Sequence, residues 1–251
     1  MRKLTRMRLE MMRFHTACRI AAALFPLVAC AVPARGEPAA PSSTPSSPPP
    51  VDVEFTLAAV SDYRYRGLSL SNKKPSLQAE LTATHDTGLY AALWAATIAD
   101  NGGADLENQV TVGYAGEAGG IAFDLAAAYY LYPGASGDNY AEFAARVSRT
   151  VGPAEVGATL SYAPAQANIG DVDNLYAGLD ASLALGPTPL TLSGNIGVED
   201  GAFGDHKLDW SLGVSGDAVG LTFGVAYVDS SRTSRDPQGK PTIVGSISKS
   251  F

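Results

Sequence analysis

The chain has 251 residues and a formal net charge of −7, with 26 glycines, 16 prolines, 17% charged residues and two cysteines, Cys18 and Cys30. No cysteine follows residue 30, which excludes an internal disulfide framework for the rest of the chain. Residues 1–36 hold seven of the eighteen Lys/Arg and one of the 25 acids, so the remainder carries 11 bases and 24 acids, a net of −13. Such a balance leaves no basic footprint for nucleic acid.

The N-terminal element is a basic stretch followed by an apolar run at residues 20–32 (IAAALFPLVACAV) and by small residues at Ala34 and Gly36. This spacing is that of a leader-peptidase site, and residues 1–36 read as a signal peptide. Met12 is an alternative start that gives a leader of ordinary length. Leu27-Val28-Ala29-Cys30 has the form of a lipobox, which would make Cys30 a lipidated first residue instead. Residues 37–50 (EPAAPSSTPSSPPP) hold no aliphatic side chain larger than alanine and cannot offset ordering entropy, so a disordered linker is expected there. Folding should begin near Val51, giving a single domain over 51–251.

From Val51 onward no apolar run is long enough for a membrane helix, and period-two alternation recurs instead. Leu208, Trp210, Leu212 and Val214 oppose Lys207, Asp209, Ser211 and Ser215; Leu190, Leu192, Ile196 and Val198 oppose Thr191, Ser193, Asn195 and Glu199. Such runs fall near 52–66, 76–85, 89–98, 106–115, 121–130, 140–149, 154–163, 174–185, 189–199, 207–216, 219–228 and 242–251. Most have the length of a tilted strand crossing a bilayer. Connections after even-numbered runs are tight, whereas those after odd-numbered runs are mostly longer and rich in Gly, Asp, Asn and Ser. This sorting predicts an all-β fold, an antiparallel up-and-down transmembrane β-barrel of about 12 strands with periplasmic turns and extracellular loops.

With the apolar parity facing lipid, the other parity lines the lumen. It collects Glu54, Asp62, Arg64, Arg66, Glu80, Glu107, Asp124, Glu142, Arg146, Asp180, Glu199, Lys207 and Asp209. A water-filled interior of this kind favours cations. A plugged interior would pair the same charges with one another, for instance Glu142 with Arg146. Both readings stand at this point. Tyr63, Tyr65, Trp210 and Tyr227 are expected in the outer aromatic girdle. Phe251, a terminal aromatic on the last strand, has the form of an assembly signal, although Lys249 and Gly245 depart from the usual apolar pattern.

The run Ser61-Asp62-Tyr63-Arg64-Tyr65-Arg66-Gly67-Leu68-Ser69, followed by Pro75, Gln78, Gly88, Tyr90 and Trp94, resembles the TorF family of porins, with its Ser-Asp-Tyr-x-x-Arg-Gly-x-Ser pattern near the first strand. The resemblance implies a bacterial outer-membrane barrel of diffusion function, and the family carries no settled substrate. The run itself reads either as a charged mouth or as a clasp between the first two strands.

Sites for chemistry are sparse. His85 and His206 fall at opposite barrel ends and cannot share a metal or a catalytic duty. His206 beside Asp205 reads as a solvated loop pair, and Asp171-x-Asp173 and Asp100-Asn101-Gly102 lack a full calcium ligand set. No enzyme activity, cofactor or metal is expected. The expected partners are outer-membrane lipids and lipopolysaccharide, the barrel assembly machinery and small hydrophilic solutes. A porin-like channel is the first reading. A plugged structural or surface-binding barrel is the second, and a soluble or lipidated periplasmic barrel around an apolar ligand is the third.

Overall fold

The structure is a computed structural model that describes residues 50–232 and 237–251. The expected signal peptide, the lipobox ending at Cys30 and all of the linker before Pro50 lie outside the described residues. The strands are β1 (Val51–Val60), β2 (Arg64–Tyr65), β3 (Leu68–Ser69), β4 (Ser76–His85), β5 (Leu89–Asn101), β6 (Ala104–Ala118) and β7 (Ile121–Leu131). They continue as β8 (Tyr140–Val151), β9 (Ala154–Ala163), β10 (Asn174–Ala184), β11 (Leu190–Gly201), β12 (Gly204–Ala218), β13 (Leu221–Ser230) and β14 (Thr242–Ser250). Twelve of these close a barrel in which each strand pairs antiparallel with its sequence neighbours and β1 joins β4 to β14. The two-residue strands β2 and β3 stand apart as a small hairpin.

The alternation read from the sequence sets this architecture inside out relative to a soluble protein. On β4, Ser76, Gln78, Glu80 and Thr82 are buried, while Leu77 and Leu81 face outward. Around the barrel Leu93, Leu179 and Leu212 are 55%, 60% and 58% exposed. A leucine left in water forfeits roughly 1.5–3 kcal/mol of burial, so a continuous outward belt of such residues fits lipid and not water. Closure leaves no strand edge unpaired in that lipid. The fold is therefore that of an outer-membrane barrel.

The start of β1 and the end of β14 lie at the same end as the short turns at 86–88, 119–120, 152–153 and 219–220, which is the periplasmic end of such a barrel. Phe251 closes the seam there: its N–H donates to Phe55 O at 2.9 Å, and the two rings lie 6.0 Å apart.

Two expectations about the outer end are corrected. The first run does not continue to residue 66; β1 stops at Val60 and residues 62–71 turn into the barrel. The segments 99–105 and 200–206 are not open loops, because β5 and β6 pair up to Asn101 and Ala104, and β11 and β12 up to Gly201 and Gly204, each across a register irregularity. Glycine-rich tips permit tight turns as readily as loops, and composition does not tell them apart.

Candidate functional site

Residues 62–71 fold into the lumen as a plug. Ser61 fastens its base to β14, donating N–H to Gly245 O and accepting Gly245 N–H, both at 2.9 Å. Asp62, buried, organises the interior: its Oδ2 accepts from Arg64 Nε at 2.7 Å and its Oδ1 from Ser69 Oγ at 2.5 Å. Arg64 Nη1 also donates to Gly67 O, Gln238 O and Lys240 O at 2.9–3.0 Å, tying the plug to the last outer loop. Tyr63 N–H donates to Ser71 Oγ, and Leu70 N–H returns to Tyr63 O at 2.8 Å.

The hairpin tip is Arg66-Gly67, with φ of +48° and +81°. A two-residue hairpin turn with both central φ values positive suits Asn-Gly or Gly-Gly, and arginine is unusual there. Gly67 is required for space as well: a Cβ at this position would lie 2.8 Å from Asp209 Cβ and 2.9 Å from Ser230 Cβ. The tip is thus pressed against β12 and β13.

From this tip Arg66 spans the lumen. Its Nη1 donates to Glu199 Oε1 on β11 at 2.7 Å, and its Nη2 to Glu142 Oε1 and Oε2 on β8 at 2.8 and 2.9 Å. Lys207 on β12 pairs with Glu199 Oε2 at 2.5 Å and donates to Arg66 O at 2.7 Å. Tyr63 donates to Glu107 on β6 at 3.1 Å and packs edge-on against Trp94 at 5.5 Å. Burial, more than any other cause, raises the Tyr63 hydroxyl well above the usual phenol range, which keeps it a donor. This one short segment thus contacts β6, β8, β11, β12 and β14 across the outer half of the barrel. Glu142, Glu199 and Lys207 are each only 1% exposed.

The periplasmic half differs. Glu54, Asp124, Glu155 and Asp180 are half-buried. Arg146 pairs there with both Asp180 oxygens and, at 3.5 Å, with Glu155. Asp124 accepts from Tyr90 Oη at 3.0 Å. Glu80, deeper, accepts from Thr82 Oγ1 at 3.0 Å, and its other oxygen has no hydrogen-bond partner among the described residues.

Several sequence expectations change. Tyr63 and Tyr65 do not face lipid: Tyr63 is 2% exposed, and Tyr65, half-buried, donates to Glu142 at 3.3 Å. Both follow the chain inward after β1. Trp210 and Tyr227 fall on the outward parity; Tyr227 lies toward the outer end of β13 and donates to Asp229 at 2.8 Å, whereas Trp210 sits mid-strand on β12, which extends outward to Gly204. Glu142 does not pair with Arg146, because Arg66 takes Glu142 and Asp180 takes Arg146. Asp62, Arg64 and Arg66, expected at an open mouth, are at most 7% exposed inside the plug. Asp209 is buried beside them and accepts weakly from Tyr176 and Asn195 at 3.4 Å.

An inward aromatic cluster escaped the sequence reading. Tyr130 and Tyr140 stack at 4.5 Å, with Phe203 and Tyr65 against them, and Tyr176 lies under Arg66. Parity could have placed Tyr176 inside, since it shares a face with Asn174 and Asp180.

Comparison with known proteins agrees with the fold. The barrel is similar to a solved KdgM porin, at a TM-score of 0.52 and 10% identity over 79% of this chain and 98% of that one. It is similar to the NanC porin at 0.52 and 9%, over 78% and 98% of the two chains. A KdgM porin in complex with disordered oligogalacturonate gives the same score at 10% identity, over 79% and 98%. No curated protein matches the chain. The profile of the family described as "Bacterial protein of unknown function (Gcw_chp)" matches residues 42–251, and the chain belongs to that family.

Proposed function

We infer that the protein is a porin-like channel for diffusion of small hydrophilic solutes, with a preference for cations and with its outer half narrowed by its own first loop. The observation that carries this reading is the set of half-exposed carboxylates in the periplasmic half, Glu54, Asp124, Glu155 and Asp180, of which Arg146 pairs with Asp180 and Glu155. Water reaches these four carboxylates and the Arg146 guanidinium pairs with two of them, so a net negative charge is left to act on solutes. The resemblance of residues 61–94 to the TorF porins and the likeness to the KdgM and NanC porins support the same class.

A second reading, a plugged barrel with a structural or surface-binding role, is favoured by the bridge from Arg66 to Glu142 and Glu199 across the lumen. Planar-bilayer recording separates the two. The channel reading expects small, cation-preferring conductance from the intact chain; complete silence of both the intact and the plug-deleted barrel supports the structural role.

A further inference from the structure

Arg66 is held in the outer half by two carboxylates and two aromatic rings, and most of what holds it belongs to the wall. Glu142 on β8 meets it through two oxygens and Glu199 on β11 through one, at 2.7–2.9 Å. The Tyr176 ring on β10 lies 4.4 Å from the guanidinium carbon, and the plug's own Tyr65 lies 4.7 Å away. The two terminal nitrogens of one guanidinium thus reach two different carboxylates, Nη1 to Glu199 and Nη2 to Glu142, over an aromatic face, a span that suits a planar guanidinium better than a compact ammonium.

Wall residues also orient this pocket. Asn174 Nδ2 donates to Glu199 Oε1 at 3.0 Å, and Lys207 holds the other oxygen. Tyr176 lies flat across the wall only because Gly197 lacks a side chain: a Cβ there would stand 2.6 Å from Tyr176 Cε2. Arg66, by contrast, reaches the pocket from a backbone conformation that L residues rarely adopt, at φ +48°. Such strain persists where the surroundings fix it, and it clusters at ligand clamps and switches.

We propose that Glu142, Glu199 and Tyr176 form a receptor for a guanidinium-bearing solute, and that Arg66 is its tethered occupant, keeping the plug docked until free solute displaces it. The proposal rests on the channel reading and names the solute class for it. Competition for one pocket makes the solute both ligand and opener. A clasp with a purely structural role gives no response to solute.

Single-channel recording of the full chain with methylguanidinium chloride or methylammonium chloride, at equal ionic strength, tests this. Methylguanidinium should raise the open fraction of the wild type at about tenfold lower concentration than methylammonium, the difference of one charge-assisted hydrogen bond. Arg66→Ala should be open from the outset, and methylguanidinium should raise the temperature at which its heat-modifiable band converts; adding Glu142→Gln should abolish that rise. Arg66→Lys, which keeps the charge but loses the fork, should open at less methylguanidinium than the wild type. A wild type indifferent to methylguanidinium, or equally sensitive to both cations, overturns the proposal even if the thermal rise in Arg66→Ala remains. If the wild type, Arg66→Ala and a plug-deleted barrel are all heat-modifiable yet none conducts, the channel reading itself fails.

Discussion

The two halves of the lumen are built by the same alternation and reach opposite electrostatic outcomes. In the outer half Arg66, Lys207, Glu142 and Glu199 are 7% exposed or less and are neutralised by one another. In the periplasmic half Glu54, Asp124, Glu155 and Asp180 stay partly in water, and Arg146 pairs with the last two. The strands do not create this difference; the segment between β1 and β4 does, by folding inward at residues 62–71. Buried pairs contribute little net stability but are costly to break, whereas solvated carboxylates set the field that a solute feels. In the proposed function the first half acts as a lock and the second as a selectivity surface.

The largest effect should come from breaking the lock. Glu142→Ala removes one partner of a buried bridge and should destabilise plug docking by roughly 3–5 kcal/mol. Trp94 emission, read in a Trp210→Phe background during urea titration, reports it through the Tyr63 contact. Next, Leu212→Lys on the lipid face should cost about 2–4 kcal/mol near the midplane, seen as a lower conversion temperature of the folded band with unchanged single-channel conductance. Gly67→Val, which forces a Cβ against Asp209 and Ser230 from φ +81°, should loosen the plug by roughly 1–3 kcal/mol without touching a charge. The smallest effect belongs to the open half: Asp124→Asn should reduce cation preference by about twofold, the Coulomb energy of one charge about 10 Å away in water. The residual preference should fade with salt as the screening length shortens.

Most of the barrel was legible because period two is a strong signal: the strand count, the outward leucines and the inward polar parity all follow from it. The plug was not. Asp62, Arg64 and Arg66 alternate with Tyr63 and Tyr65 as if β1 simply continued, and only Gly67 hints at a turn. Arginine at the first turn position conceals that hint, since this turn usually calls for Asn or Gly. Parity assigns a face but not a partner across the lumen, which is why Arg146 was placed with Glu142 and not with Asp180, two strands away. The pairing of Arg66 with Glu142 and Glu199, residues 76 and 133 positions later, depends on closure of the whole barrel.

The most direct test is single-channel conductance and reversal potential in a salt gradient, for the intact chain and for a variant with residues 62–74 replaced by a short Gly/Ser linker. A severalfold rise in conductance with cation preference retained is the predicted result, because the plug is gone and the periplasmic carboxylates remain. Unchanged conductance, or a reversal potential that favours anions, would contradict the division of the lumen into a lock and a selectivity surface.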